Sequence, residues 1–356
     1  MIVEAPALAG MSRKWLYSTA DDKRALEIAI TCARGVETWL PVIYGGRVLA
    51  WLRGRRGRTE VEVLRCAVNG LDQMINAATT LGQRLSQQYT KIAVTGLAAL
   101  GWYDYYTVGP GGGTFTGTAL TARRFTDLTT GAIPHGGNVS PAVKIITGAW
   151  GMAYNMGACF LLYDRVLTYE ACTISGGLQN MTNTLTAQRY ISAGQPGLGI
   201  LCTIQTQLNI SPNISALKYT NQAGTTGQSV ATAAALTLNS AAATPDNTTP
   251  ARCAAQYAAS TSNDVLFYPL AVGDSGAQKI ESFTTSAAAT GTICFTLAHP
   301  FAYFPSPGAA LAGQYDFVRQ LTVLERIYDG ACLNFFVNAT ANNNATIMGA
   351  LDFVWA

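Results

Sequence analysis

The side chains best suited to chemistry are few. A Gly273-Asp274-Ser275-Gly276 segment could expose a serine Oγ on a tight turn, and His135 stands 140 residues before that serine. With a carboxylate such as Asp164 or Asp246 to orient the imidazole, these residues would make an acyl-transfer triad. Their setting argues otherwise. Ile133-Pro134 precedes the histidine, Ala277-Gln278 follows the glycine, and Asp-Ser-Gly is also an ordinary connection between strands.

Other chemistries find less material. No Gly-Lys dipeptide occurs, so a phosphate-binding P-loop is absent, and the clusters at Gly109–Gly113 and Gly194–Gly199 lack the GxGxxG spacing. The chain has 2 histidines, His135 and His299, each beside a proline, and 8 cysteines with no CxxC pair. Neither a metal site nor any cofactor is expected, and the cysteines read as reduced, small apolar residues. Two clusters suit binding better than catalysis. Arg53, Arg55, Arg56 and Arg58 could meet phosphate or an acidic partner surface. Trp102, Tyr103, Tyr105 and Tyr106 form an aromatic run of the kind that anchors interfaces.

Composition supports that emphasis. Of 356 residues, 12% are charged and 49% hydrophobic, against about a quarter charged in an ordinary soluble domain. Low charge with abundant apolar residues excludes intrinsic disorder, and the Thr/Asn/Gly-rich remainder suits β-structure with polar but uncharged outer faces. Net charge is +3 and uneven, with 13 Lys+Arg against 8 Asp+Glu in residues 1–95 and 10 against 12 thereafter. This is the make-up of a structural protein, not of an enzyme.

The elements follow from periodicity. Residues 1–105 read as an N-terminal α/β segment. Thr19 and Asp22 open a first helix through Leu26, Ile30 and Ala33, closed by Gly35. Gly45-Gly46 is a two-residue hairpin turn. An amphipathic helix over 60–89 presents Val61, Leu64, Val68, Leu71 and Ile75 as a seam for a neighbouring subunit. Beyond residue 105 the period changes to two. Ile200, Cys202 and Ile204 share a face, as do Leu333, Phe335 and Val337, and then Ile347, Gly349, Leu351, Phe353 and Trp355. The fold expected is mainly β: antiparallel sandwich or jelly-roll modules, the first over 106–260 and the second, or the completion of the first, over 261–356. The uncharged stretch Ile145–Tyr163 carries Gly148, Gly151 and Gly157 and reads as a buried segment, not a membrane span. No secretory signal is read at the N-terminus.

Four segments add a resemblance. Leu161-Leu162-Tyr163-Asp164-Arg165, Tyr219-Thr220-Asn221-Gln222-Ala223-Gly224, Val272-Gly273-Asp274-Ser275-Gly276 and the run Arg326 to Phe335 (RIYDGACLNF) occur in this order. Together, over roughly residues 110–356, they resemble a group of bacteriophage virion structural proteins encoded with head and tail genes. The resemblance implies a particle component, a shell-forming or decorating capsid protein that is assembled in the host cytoplasm. Its partners would be copies of itself, in a trimer or higher symmetric assembly, and other virion proteins. Encapsidated nucleic acid would meet the basic N-terminal third, and no membrane would be involved. A tail or fibre-like adhesin reading host carbohydrate through the aromatic run is the alternative, and a chymotrypsin-like serine protease a remote one.

Overall fold

Alternating side chains of opposite character build most of this molecule. Half of the residues lie in strands and 5% in helices. The computed structural model describes residues 2–4, 15–17, 39–44, 47–55, 58–63 and 71–356, apart from 95, 110, 141, 183–184, 192–196, 232–235, 241–243, 258–263 and 321–323. It divides into two units, Met1–Gln73 and Met74–Trp355.

In the first unit, Ile2–Glu4 (β1) pairs with Trp15–Tyr17 (β2). Trp39–Tyr44 (β3), Arg47–Arg55 (β4) and Arg58–Val63 (β5) form an antiparallel meander. Its register sets Tyr44 opposite Arg47, across the expected Gly45-Gly46 connection, whose two residues lie outside the described ones. The helix expected from Thr19 to Gly35 also lies outside them.

In place of the helix expected over 60–89, the described residues form four elements. Val61 belongs to β5, Leu71 and Ile75 bound a five-residue helix (α1), and Leu64 and Val68 lie outside the described residues. A π-helical turn over Asn76–Thr80 follows, and Gly82 adopts a φ of +64°, which ends helical structure. From Arg84 to Ile92 the chain is strand (β6). Asn76, Thr79 and Thr80 propagate a helix poorly, whereas β6 faces Leu85, Gln87, Tyr89 and Lys91 inward and the residues between them outward. Two of the inward residues are polar, so the period of two is invisible to a hydrophobicity count.

Among the described residues the second unit holds three sheets, every pairing antiparallel. The first orders Gly313–Asp316 (β20), Lys144–Ala153 (β9), Thr346–Trp355 (β23) and β6, with Arg326–Ile327 (β21) also on β9. The second orders Gly199–Thr206 (β12), Ala288–Ser306 (β19), Ala158–Ser175 (β10), Leu333–Ala339 (β22), Trp102–Asp104 (β7) and Ala251–Arg252 (β16), with Ala122–Arg124 (β8) on β10. The third orders Leu178–Asn180 (β11), Ala277–Thr285 (β18), Asn213–Asn221 (β13), Leu236–Leu238 (β15) and Ala255–Tyr257 (β17), with Gln228–Ser229 (β14) on β13. A four-residue helix, Phe317–Gln320 (α2), follows β20.

The second sheet organises the rest. Its central ribbon, β10 with β19, is 18 and 19 residues long and serves two sandwiches. Near one end Phe160 stacks on Phe304 at 5.3 Å, and Phe335 meets Tyr89 of the first sheet at 4.8 Å. Toward the other end Phe295 meets Phe283 of the third sheet at 5.1 Å. The expected ranges 106–260 and 261–356 therefore interleave, since β10 and β12 come from one and β19 and β22 from the other.

The same sheet curls until its edges meet. Thr203 of β12 bridges to Cys253 just after β16, while the Cys253 N–H donates to the Trp102 carbonyl on the far edge. Alternation then sends Leu161, Tyr163, Leu201, Cys253, Ala298 and Phe336 into the curl. Phe160, Leu162, Ile200, Cys202, Phe295 and Phe335 go to the larger core outside it. Both faces are buried, which is why β10 and β19 read as near-continuous apolar runs. The six described cysteines are free, and Cys32 and Cys66 lie outside the described residues. Among the described residues no helix is long and apolar enough to cross a membrane.

Candidate functional site

The curl has a charged centre. Asp104 ends β7, and Tyr163 and Arg165 follow one another on the inward face of β10. Tyr163 Oη donates to Asp104 Oδ1 at 2.6 Å, the Tyr106 N–H donates to the same oxygen at 3.0 Å, and Arg165 Nη2 pairs with Asp104 Oδ2. Arg165 Nη1 also donates to Thr296 Oγ1 at 2.9 Å, and its guanidinium lies 4.7 Å from the centre of the Tyr106 ring. Asp104, Tyr163 and Arg165 are fully buried. Burial opposes the Arg165 charge, but Asp104 and, after it, Tyr163 and smaller neighbouring contributions together hold the guanidinium firmly protonated.

Asp164 turns to the opposite face of β10. It accepts from Arg189 Nε and Nη2, both at 2.9 Å, and from the Cys332 N–H at 2.8 Å. The Arg165 N–H in turn donates to the Cys332 carbonyl at 2.9 Å. The first and fourth of the segments that carried the resemblance are thus bonded to each other. So are the second and third. Tyr219 Oη and Asn221 Nδ2 each donate to Asp274 at 2.7 Å, and Ser275 Oγ donates to Gln222 Oε1 at 2.7 Å. The Gln222 N–H donates to the Gly276 carbonyl at 2.9 Å. The segment around Ser275 is a clamped connection between strands.

The histidines sit elsewhere. Lys144 Nζ donates to His135 Nδ1 at 2.9 Å, so His135 Nε2–H donates to the Ala331 carbonyl at 3.0 Å and the ring is neutral. Burial, and then the neighbouring Lys144 charge, lower the His135 pKa. The His299 ring stacks on Tyr190 at 4.0 Å. Neither imidazole bonds to Ser275. Among the described residues no group of three His, Cys, Asp or Glu side chains could hold a metal.

On the outer face of the first sheet lies an open groove. Gly148 of β9 is opposite Asp316 of β20 on one side and Asp352 of β23 on the other. A Cβ at 148 would meet the Asp352 carboxylate at 3.1 Å, so glycine keeps the space between the two acids clear. Trp150, 37% exposed, follows on the same face, and Gln314 completes the lining. At one end of this sheet Ile92, Tyr154 and Leu311 are 39%, 59% and 56% exposed; Ile92 is opposite Thr346, whose carbonyl accepts from the Tyr154 N–H, and the Ala310 N–H beside Leu311 donates to the Ala153 carbonyl beside Tyr154.

The expected site residues are spread over both units. Arg53 and Arg55 end β4 and Arg58 opens β5, with Arg55 opposite Arg58 and Arg53 opposite Glu60, while Arg56 lies outside the described residues. Of the helical seam, Val61 is on β5 opposite Leu52, and Leu71 and Ile75 are on α1, with Ile75 51% exposed. Among the described residues Val61 is in a strand, so it shares no helix with Leu71 and Ile75. Of the aromatic run, Tyr103 and Tyr105 are consumed by the large core, and Tyr106, in the turn after β7, is buried with Phe125 and Cys332 in a smaller cluster. Trp102 alone keeps a half-open edge, against Tyr303 at 6.2 Å. Asp104 escaped notice as a site residue although a lone carboxylate inside an aromatic run was a readable sign of a buried ion pair. Compared with protein-family models, curated proteins and solved structures, the chain matches none.

Proposed function

We propose that this chain is a structural component of a bacteriophage virion, a capsid protein that shells or decorates the particle by self-assembly. The observation that supports this reading is the inversion of charge. Ion pairs Asp104–Arg165, Asp164–Arg189 and Arg252–Asp264 are folded inward, and Lys91 and Lys144 are buried as well. Outward strand positions carry uncharged residues such as Ser86, Gln88 and Thr90, with exposed Ile92, Tyr154 and Leu311 at one end. Such a surface desolvates cheaply against a neighbour, and repeated copies of one contact build a closed assembly. Burying ion pairs also pins strand register in a fold whose outer faces are too uniform to do so.

The test is the stoichiometry of purified particles together with the association state of the isolated chain. Many copies per particle that cannot be stripped without collapse mark a shell protein, and many removable copies a decoration. A chain that stays monomeric at high concentration with other particle components added overturns the reading. The adhesin alternative moves from residues 102–106, which are largely buried, to the groove at Trp150, Asp316 and Asp352, where an aromatic face and two carboxylates suit a sugar's C–H and O–H groups. Carbohydrate binding lost in Trp150→Ala would favour it.

A further inference from the structure

A lysine and a carboxamide from distant strands meet on one carbonyl oxygen inside the second unit. Lys91 Nζ, on the inward face of β6, donates to the Gly131 carbonyl at 2.7 Å. Asn334 Nδ2, on the inward face of β22, donates to the same oxygen at 2.8 Å. Gly131 has a φ of +99°, and a Cβ there would meet Gly113 N at 2.6 Å, so only glycine turns its carbonyl into this position. Asn334 is fully buried and Lys91 is 5% exposed. Nothing in the ion-pair network described above uses either side chain.

We infer that Lys91 Nζ and the Asn334 side chain condense into an intramolecular isopeptide bond that ties β6 covalently to β22. The neutral amine attacks Asn334 Cγ, a C–N bond forms, and the bond from Cγ to Nδ2 breaks. The carboxamide nitrogen takes up the proton that the attacking amine loses and leaves as ammonia, so one ammonia is released and no other reactant is needed. Three features of the site serve this reaction. The Gly131 carbonyl gathers nucleophile and leaving group on one oxygen, which lowers the orientational cost. The Phe335 N–H donates at 2.8 Å to Asn334 Oδ1, the oxygen on which negative charge develops. Burial excludes the water that would compete as a nucleophile. Burial also lowers the Lys91 pKa to about 8, against the opposing pull of Asp104, so the free amine is accessible near neutral pH. The inference does not depend on the virion reading.

Intact-mass spectrometry of the purified full-length chain, folded and held above pH 8, tests it. The chain is expected to be lighter than its sequence by one ammonia, and a digest is expected to contain a branched peptide joining residues 91 and 334. Lys91→Arg keeps the charge and restores the full mass. A full-mass wild-type chain after this incubation overturns the inference. So does an ammonia loss that persists in Lys91→Arg, since a succinimide at Asn334 expels ammonia without needing the lysine.

Discussion

Two junctions hold distant segments of the second unit together, and they use opposite materials. At the first, Asp164 grips Arg189 and the Cys332 backbone while its neighbour Arg165 pairs with Asp104, all within buried surroundings. At the second, Tyr219 and Asn221 donate to Asp274 and Ser275 donates to Gln222, all of them neutral donors, with Asp274 half-buried and Ser275 exposed. Both fix one strand connection against another. They differ in what a broken contact leaves behind: a stranded charge in a dry interior, or a carboxylate that water reaches.

The largest test of that contrast removes one partner of the buried pair. Asp104→Asn or Arg165→Met should cost about 3–5 kcal/mol in denaturant unfolding, because the surviving charge stays buried and uncompensated. The double replacement Asp104→Leu with Arg165→Met should recover much of that loss. A double variant as unstable as the singles would mean that the pair itself, and not the stranded charge, carries the stability.

The first junction should also weaken in alkali. Burial pushes the Cys332 thiol up to about 12 from its ordinary 9.0, and burial does the same to Cys172. The folded value lies above the unfolded one, so this stability is complete below pH 9 and is lost as pH rises toward 12. Each such thiol should contribute a fall of about 1.4 kcal/mol per pH unit once its unfolded counterpart ionises. Thermal melts at pH 8 and pH 10 on wild type and Cys332→Ala should show a shallower fall in the variant, and equal slopes would remove Cys332 from the account.

The second junction should yield less. Asp274→Ala should cost roughly 1–2 kcal/mol, the loss of two hydrogen bonds at a half-exposed site, and Ser275→Ala should stay within about 0.5 kcal/mol. A loss at Asp274 as large as that at Asp104 would erase the distinction between the junctions. Smallest of all in stability should be Tyr154→Ser with Leu311→Ser on the exposed rim, within about 0.5 kcal/mol per site. Sedimentation should nonetheless show weaker self-association, and unchanged association would separate that rim from any contact between copies.

Much of the β architecture was legible because adjacent residues encode it. The alternations at 199–206, 333–339 and 346–355 are the strands β12, β22 and β23, and Ile200, Phe335 and Leu351 face the large core. β6 was not legible, since Gln87 and Lys91 take inward positions and Ile92 an outward one. The aromatic run misled for a related reason. Residue type tells how much surface Tyr105 and Tyr106 can bury, but only the neighbours decide whether the chain itself buries it.

The amino-acid order alone settled that this is a mainly β protein with few charges, because periodicity and composition are properties of neighbouring positions. Tertiary structure alone decided that Asp104 meets Arg165, that Asp164 meets Cys332, and that Lys91 and Asn334 share the Gly131 carbonyl. Those partners stand far apart in the chain. Their energies come from losing water together, and this happens only after strands from distant segments have closed around them.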